Sequence, residues 1–392
     1  AARRATGWSE LELPEWLSEV IGDPRQKVWL NNSITRLVPY DDKDWEMHKA
    51  PDRYLRHLLS SVTSSMLLRL GGTMALLGVV SLLTVVVSNL ESVKLPEFEI
   101  DPFNLSATAL GLLLTLRVSE SYNRFRLAHQ HLATISGRLR DSARCLALGL
   151  QPFPARAAAV DRCCTSLLAV AEAVKCRLRP RDMEDLPACL RSVGLSEEAV
   201  ARASAAGHPP SAVMAELTAA VLALQGRALL DEGLASQVQQ NLSDVVINVA
   251  LCERIQRHPV PMKYTRHTSR VLFSWLALLP IGFVPILGLA TVPAVVGLAF
   301  GLLGIEDIAV QIEEPFSVID IEDINRDLRR AVDEVRSTPD EVLRNPLALD
   351  LPDVPGPPRP TGLPRLSRSS LRRPDFYEGE QLPGFFQEGA GM

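Results

Sequence analysis

The sequence of 392 residues lacks the short motifs that mark common enzyme classes. It contains no Gly-x4-Gly-Lys phosphate loop, no Gly-x-Ser-x-Gly nucleophile turn and no His-Glu-x-x-His zinc motif. Cysteine is scarce, with 6 residues, and no two of them form a Cys-x-x-Cys pair. These absences favour a protein that is not an enzyme and whose cysteines are buried thiols in a reducing compartment.

Long stretches without charge are present instead. Residues 70–90 carry no charge, which suits a single membrane helix, and residues 271–305 carry none either. As one helix, the second stretch would measure roughly 50 Å at about 1.5 Å per residue, whereas the hydrocarbon core of a bilayer is about 30 Å thick. We therefore predict that it folds back between Pro285 and Pro293, where Gly288 also favours a turn.

Residues 103–126 are the stretch on which the functional interpretation depends. Residues 103–116 are uncharged and run directly into a charged segment, which predicts one helix that leaves an apolar layer and enters water. Thr108, Leu112 and Leu116 are spaced by four and share one helix face. The alternative is an ordinary membrane helix whose small and aliphatic residues pack on its neighbours. Counting this short span, we predict four membrane crossings.

The flanking charges predict the orientation of these crossings. Arginine and lysine concentrate before the first span, after the second and before the third, whereas the loop between the first two is acidic apart from Lys94. By the positive-inside rule, both termini and residues 117–270 lie on the side where the protein is synthesised.

The residues between the second and third spans predict a helical bundle that projects from the membrane. Residues 155–177 and 211–232 carry apolar residues at helical spacing. Proline and glycine predict breaks at 151–154, 179–181 and 207–210. We further predict that the last membrane helix continues through the charged residues 306–338.

Four segments resemble the bestrophin family. Residues 116–125, Leu-Arg-Val-Ser-Glu-Ser-Tyr-Asn-Arg-Phe, resemble the family signature Phe-Arg-Thr-Asn-x-x-Tyr-x-Arg-Phe/Trp, although Leu116, Val118 and Ser119 depart from it. Residues 259–265 and 304–316 are similar to the entry into the family's third membrane helix and the exit from its fourth. Residues 52–61 are similar to the chloroplast members of plants and algae, and the resemblance covers residues 35–335.

The resemblance implies an all-α membrane protein with four membrane helices per subunit and a large stromal helical bundle, assembled as a homopentamer around a central pore. It places the family's three neck rings on Thr108, Leu112 and Leu116. Such rings gate by dewetting, because an ion must shed water to pass them. It places a second constriction at Gly233 and Leu234.

The residues that follow the neck are assigned further roles. Tyr122, Arg124 and Phe125 are the remaining motif residues. Arg117 is expected to make the inner mouth attractive to anions. A topological anchor and a salt bridge to Glu120 stay open as alternatives for Arg117.

The resemblance also maps a calcium clasp of animal bestrophins onto one acidic stretch. Its residues are Gln311, Glu314, Asp320 and Glu322. Calcium takes six to eight oxygen ligands, and Ile319 replaces a carboxylate of the pattern. We therefore expect a changed, degenerate clasp and no required cofactor, with a solvated acidic helix or a subunit contact as the alternative.

These features predict an anion-selective channel of the chloroplast thylakoid membrane that passes chloride, with bicarbonate as a second permeant ion. The predicted partners are further copies of the chain, the lipid bilayer and inorganic anions, but no nucleic acid. Two alternatives stay open: a bicarbonate-dedicated channel of an algal carbon-concentrating system, and a four-span scaffold that recruits a tail-binding protein.

The predicted organisation has six parts. They are an N-terminal amphipathic segment (1–60), membrane helices 1 and 2 (61–126, with the pore-lining helix at about 103–126), a stromal helical region (127–265), membrane helices 3 and 4 (266–310), an acidic and basic helix (311–345) and a Pro-rich disordered tail (346–392).

Overall fold

The computed structural model describes residues 42–51, 53–54, 65–90, 101–151 and 153–337. The predictions for residues 1–41 and for the tail 346–392 lie outside these ranges. Within them the regular structure is helical, apart from an isolated antiparallel bridge between Leu150 and Leu230. The predicted all-helical fold is therefore confirmed for the described residues.

The helices are numbered in chain order. They are α1 (Asp42–Lys49), α2 (Ser65–Ser88), α3 (Asp101–Gly149), α4 (Arg156–Leu178), α5 (Leu186–Ser192), α6 (Glu197–Ala205), α7 (Pro209–Gly226), α8 (Glu232–Arg257), α9 (Met262–Leu287), α10 (Thr291–Glu313), α11 (Pro315–Val318) and α12 (Ile321–Ser337). Short 3-10 helices cover Pro180–Asp185 and Gly288–Ala290.

A small apolar core joins four helical segments. Helices α2, α9 and α10 and the beginning of α3 contribute Leu77, Leu110, Leu114, Leu272, Leu276, Ala299 and Leu303. Leucines on the outer side of this group, such as Leu83 and Leu278, are 57% and 53% exposed. A wide exposed apolar surface of this kind is typical of helices that contact lipid.

The turn predicted in the long uncharged stretch is confirmed. Helix α9 ends at Leu287, and α10 begins at Thr291 after a single 3-10 turn. Gly288 in that turn has φ +54°, a conformation that costs glycine little because it has no Cβ.

Two segments of the described residues are long and apolar enough to cross a membrane. They are Met66–Ser88 and Met262–Glu313, and the second comprises both α9 and α10. The apolar beginning of α3 does not meet the same criterion by itself. The count of four crossings therefore stays a prediction.

A second and larger core lies in a helical bundle. It is formed by the remainder of α3 together with α4, α5, α6, α7, α8 and α12, and its most deeply buried side chains include Leu139, Leu146, Leu167 and Leu217. Helix α3 runs without interruption from the first core into the second. The prediction that one helix leaves the apolar layer and continues beyond it is confirmed.

Proline and glycine set most of the bundle boundaries as predicted. Helix α3 ends at Gly149, α4 ends at Leu178 before Pro180, and α7 begins at Pro209. Proline is tolerated in the first turn of a helix because its missing N–H is not needed there.

Two predicted helix boundaries are wrong. The helix predicted for residues 211–232 stops at Gly226, and a loop of residues 227–231 leads into α8. The last membrane helix does not continue through residues 306–338, because α10 ends at Glu313. Pro315 explains that end, since proline disfavours helical backbone at the residue before it.

Ala228, in the loop before α8, has φ +55°, in the left-handed region. That conformation costs a residue with a Cβ about 1–2 kcal/mol. We expect Ala228→Gly to raise the free energy of unfolding by up to about 1 kcal/mol, because the greater freedom of glycine in the unfolded chain offsets part of the gain. The measurement is the thermal midpoint of the purified protein. Ala206→Gly, at φ −76°, is the matched control and should lower the midpoint; a lower midpoint for Ala228→Gly would contradict the prediction.

The cysteine side chains are mostly inaccessible. Those that are buried are Cys145, Cys163, Cys164, Cys176 and Cys252, while Cys189 is half-buried. Burial raises the pKa of Cys163 to about 11 and that of Cys252 to about 12, because a thiolate is poorly solvated there. The prediction of buried thiols is confirmed for these five residues.

Candidate functional site on helix α3

Thr108, Leu112 and Leu116 lie on one exposed face of α3. Leu112 and Leu116 are 62% and 55% exposed, and Thr108 is exposed as well. The other side of the helix is used for packing, because Leu110 and Leu114 belong to the apolar core. The three predicted neck residues thus share a face that makes no core contact within the chain.

Arg117 lies on the opposite side of α3 and is completely buried. It follows Thr108 by nine residues, or about two and a half turns, which directs it away from the exposed face. Its guanidinium donates to Glu313 Oε2 at 2.7 Å and to Thr265 Oγ1 at 2.9 Å. The predicted position at an open mouth and the alternative salt bridge to Glu120 both disagree with this geometry. The charge of Arg117 is neutralised inside the protein.

Glu120 lies in an open groove beside Leu116. The groove has a volume of about 410 Å³ and is also lined by Leu116, Arg124 and Pro261. Among the described residues, no basic group lies within ion-pair distance of the Glu120 carboxylate. Glu120 therefore remains a solvent-facing negative charge.

Two more acidic residues of α10 bind neighbouring helices near Glu313. Glu306 accepts a hydrogen bond from the Ser269 hydroxyl of α9 at 2.7 Å. Asp307 pairs with Arg69 of α2 at 2.8 Å. Together with Glu313, these residues tie α10 to three other helices.

The motif residues Arg124 and Phe125 anchor α3 to the bundle. Arg124 donates to the backbone carbonyls of Ile255 and His258 at 2.7 Å each. These carbonyls lie at the C-terminus of α8, where unpaired oxygens favour a positive charge. Phe125 packs against the bundle core, whereas Tyr122 is 58% exposed. Arg124 and Phe125 therefore hold α3 against the bundle, whereas Tyr122 is exposed to solvent.

Gly233 and Leu234 lie in the first turn of α8. Leu234 is half-buried and packs close to Gly149, where a Cβ would approach the Leu234 Cδ1 atom to 2.9 Å. The Leu234 side chain thus packs against α3 of the same chain, whereas Gly233 is exposed. The position of a second constriction stays a prediction.

The residues mapped onto a calcium clasp make contacts of other kinds. Asp320 accepts from the backbone N–H of Asp323 at 3.1 Å and so caps α12, and burial raises the pKa of Asp320. Gln311 donates to Asp307 at 2.7 Å, and Glu314 is exposed. In the part of the chain that the structure describes, no group of three or more His, Cys, Asp or Glu side chains is arranged to hold a metal.

Arg179 places a positive charge among residues 316–322, next to the predicted clasp residues, a contact that was not predicted from the sequence. Its guanidinium donates to the carbonyls of Phe316 and Ile319 at 2.8 and 2.7 Å and to Glu322 Oε1 at 2.6 Å. Oxygen atoms of this kind are the ligands that calcium prefers. Because a guanidinium already binds these oxygens, the residues present do not fit a calcium ion at this position. The only signal in the sequence was an arginine next to a proline break.

The described residues define a class of protein: an α-helical protein with an apolar helical layer at one end and a polar bundle at the other, joined by α3. The sequence model of the family described as Bacterial/Fungal Bestrophin protein matches residues 44–334. The chain therefore belongs to the bestrophin family, as its motifs predicted.

Several known proteins are similar to this chain. A protein of Arabidopsis thaliana named voltage-dependent chloride channel 2, chloroplastic, is 26% identical over 313 residues, which cover 78% of this chain and 74% of the relative. A voltage-dependent anion channel-forming protein of Ralstonia nicotianae is 31% identical over 241 residues, covering 58% of this chain and 76% of the relative. A crystal structure of a bacterial bestrophin homolog from Klebsiella pneumoniae matches with a TM-score of 0.61 and 23% identity, over 68% of this chain and 98% of that chain. This last likeness shows the fold alone.

Proposed function

We propose that the chain is a subunit of an anion-selective channel in a chloroplast membrane and that chloride is its main permeant ion. The observation that carries the proposal is the exposed face of Thr108, Leu112 and Leu116 on a helix whose other side is packed. The names of the relatives support anion transport, and two of them support a chloroplast location.

Five copies of the chain close this face around an axis in the proposed assembly, as the family resemblance implies. A single chain leaves the face open on one side, so it encloses no pathway. Around an axis, Leu112 and Leu116 form two aliphatic rings, and Thr108 forms a hydroxyl ring. The leucine rings offer a passing ion no ligand, so they gate by dewetting.

The permeant ion follows from the cost of passing these rings. An ion must lose part of its hydration shell to pass an aliphatic constriction. This loss costs the least free energy for weakly hydrated anions. The hydroxyl of Thr108 eases wetting of the outermost ring. Chloride is therefore proposed as the main ion and bicarbonate as the second.

The orientation follows the charge distribution. Basic residues flank the proposed spans on the side of the helical bundle, which the positive-inside rule assigns to the side of synthesis. In the thylakoid membrane that side is the stroma. The proposed channel therefore has its bundle in the stroma. As a channel, the protein is proposed to have no enzymatic role.

The test is reconstitution of the purified full chain into planar bilayers under a gradient of KCl. The proposal expects unitary currents that reverse near the chloride equilibrium potential, and continued current when bicarbonate replaces chloride. The mass of the detergent-solubilised particle should correspond to five chains. A silent bilayer, or reversal near the potassium potential, overturns the proposal, and silence together with a captured tail-binding protein favours the scaffold.

A further inference from the structure

The face of α3 that carries Thr108 continues along the whole helix. Residues 18 positions apart are separated by about five turns and point in the same direction. Arg126 follows Thr108 by 18 residues, and Arg144 follows Arg126 by the same number. Because α3 is one helix from Asp101 to Gly149, these arginines are in line with Thr108.

The exposure of side chains follows the same line. The positions on this face beyond Leu116 are exposed, namely Ser119, Tyr122, Arg126, Gln130, Ala133, Gly137, Arg140 and Arg144. The positions on the opposite side are buried, namely Ser121, Ala128, Ile135, Leu139 and Leu146. The face is therefore open over its full length, and it changes from apolar to basic below the neck.

Two of the three arginines on this face keep their charge uncompensated. The Arg126 guanidinium donates to Asn123 Oδ1 at 3.0 Å, which is a neutral amide. Within the described residues, no carboxylate lies at ion-pair distance from Arg140. Arg144, by contrast, pairs with Asp141 at 2.7 Å.

One exposed carboxylate lies near this face but off its line. Glu120 follows Thr108 by 12 residues, which turns it about 120° away around the helix. Glu120 is about 40° from Leu116, but the two arginines that have no carboxylate partner among the described residues, Arg126 and Arg140, outnumber it on this side of α3. Around the helix axis, Arg126 points in the same direction as Thr108, whereas Glu120 is turned away from that direction.

We infer that Arg126 and Arg140 form the anion-attracting lining of the pathway below the neck, the role that the sequence had suggested for Arg117. The inference rests on the proposed function, because the face lines a pathway only when several copies surround an axis. Each arginine then contributes one ring of like charge, and clefts lined by one sign of charge concentrate counter-ions. The ligand is a small, hydrated inorganic anion. The positive charge of the arginines attracts it, but no set of hydrogen-bond donors encloses it.

The test compares Arg126→Gln, Arg140→Gln and the double variant with the unmodified full chain in planar bilayers. At about 0.1 M KCl, where charges act over about 10 Å, we expect the double variant to lose up to about tenfold in unitary chloride conductance. At about 1 M KCl the range is about 3 Å, and the difference should shrink. The chloride-to-potassium permeability ratio should fall in the same order.

The matched control is Arg162→Gln. Arg162 is an exposed arginine of α4, outside this face, and its replacement should leave conductance and permeability unchanged. An equal loss in Arg162→Gln would show a general effect of surface charge and would overturn the inference.

A second measurement tests where the side chain lies. Arg140→Cys should react with charged thiosulfonate reagents, and a cationic reagent should restore the low-salt conductance that an anionic reagent lowers further. The unmodified chain, in which five of the six cysteines are buried, should be insensitive to both reagents.

The outcomes separate this inference from the proposed function. An unmodified chain that conducts chloride, together with a double variant of equal low-salt conductance, overturns the inference and leaves the proposed function standing. A silent unmodified chain overturns both. Loss of the oligomer in Arg126→Gln places Arg126 in a subunit contact and overturns its assignment to the pathway.

Discussion

Leu112→Ala is expected to raise the chloride current of the reconstituted channel by at least about tenfold. The substitution shortens one side chain in each subunit of the proposed ring, so its effect on wetting is multiplied by the number of copies. A change of only about 0.3 kcal/mol per subunit, summed over five subunits, reaches about 1.5 kcal/mol, which is slightly more than a factor of ten in rate. The readout is the open probability and unitary current in planar bilayers.

Leu112 suits this test because it is 62% exposed in the single chain. Its truncation removes no contact of the apolar core, so folding should be retained. Leu83→Ala is the matched control, since Leu83 is 57% exposed and belongs to α2, which carries none of the proposed neck residues. An unchanged current in Leu112→Ala, or an equal rise in Leu83→Ala, would show that Leu112 does not limit ion flow.

Separating Arg117 from Glu313 is expected to lower the free energy of unfolding by about 3–5 kcal/mol, because either single substitution leaves an uncompensated buried charge. Glu313→Leu should be the more damaging change. It leaves a fully buried guanidinium that cannot lose its proton. Arg117→Met instead leaves a carboxylate whose side chain is 14% exposed, so water can solvate part of it. The thermal midpoint of the purified oligomer measures both effects.

The double variant Arg117→Met/Glu313→Leu should recover a large part of the lost midpoint, because both buried charges are then absent. Arg191→Met is the control, since Arg191 pairs with Glu197 at 2.8 Å on the surface, where water screens the interaction. A double variant no more stable than the two single variants would show that the pair does not act as a unit.

The helix boundaries were largely predictable because local chemistry sets them. Pro180 and Pro209 mark an end and a beginning that the structure confirms, and Gly288 marks the turn between α9 and α10. The shared face of Thr108 and Leu112 followed from the helical period alone. Pro315 carried an equally local signal for the end of α10, and the sequence interpretation overlooked it.

The partners of the charged residues were not predictable in the same way. Arg117 and Glu313 are 196 positions apart, and Arg179 reaches Glu322 across 143 positions. Nothing in a local pattern distinguishes an arginine that faces solvent from one that pairs across the fold. The helical period shows only which residues share a direction: a spacing of 18 residues places Arg126, and not Arg117, in line with Thr108.

Helix α3 contains a proline only at its second position, Pro102, so no proline kink interrupts its remaining length. At about 1.5 Å per residue it is roughly 73 Å long. If a rigid helix of that length tilts by about 3° about its membrane end, its other end moves sideways by about 4 Å. In the proposed channel, a tilt of α3 that changes the diameter of the neck therefore also displaces the end of the helix near Gly149, and a molecule bound to the bundle at that end is expected to alter ion flow through the neck.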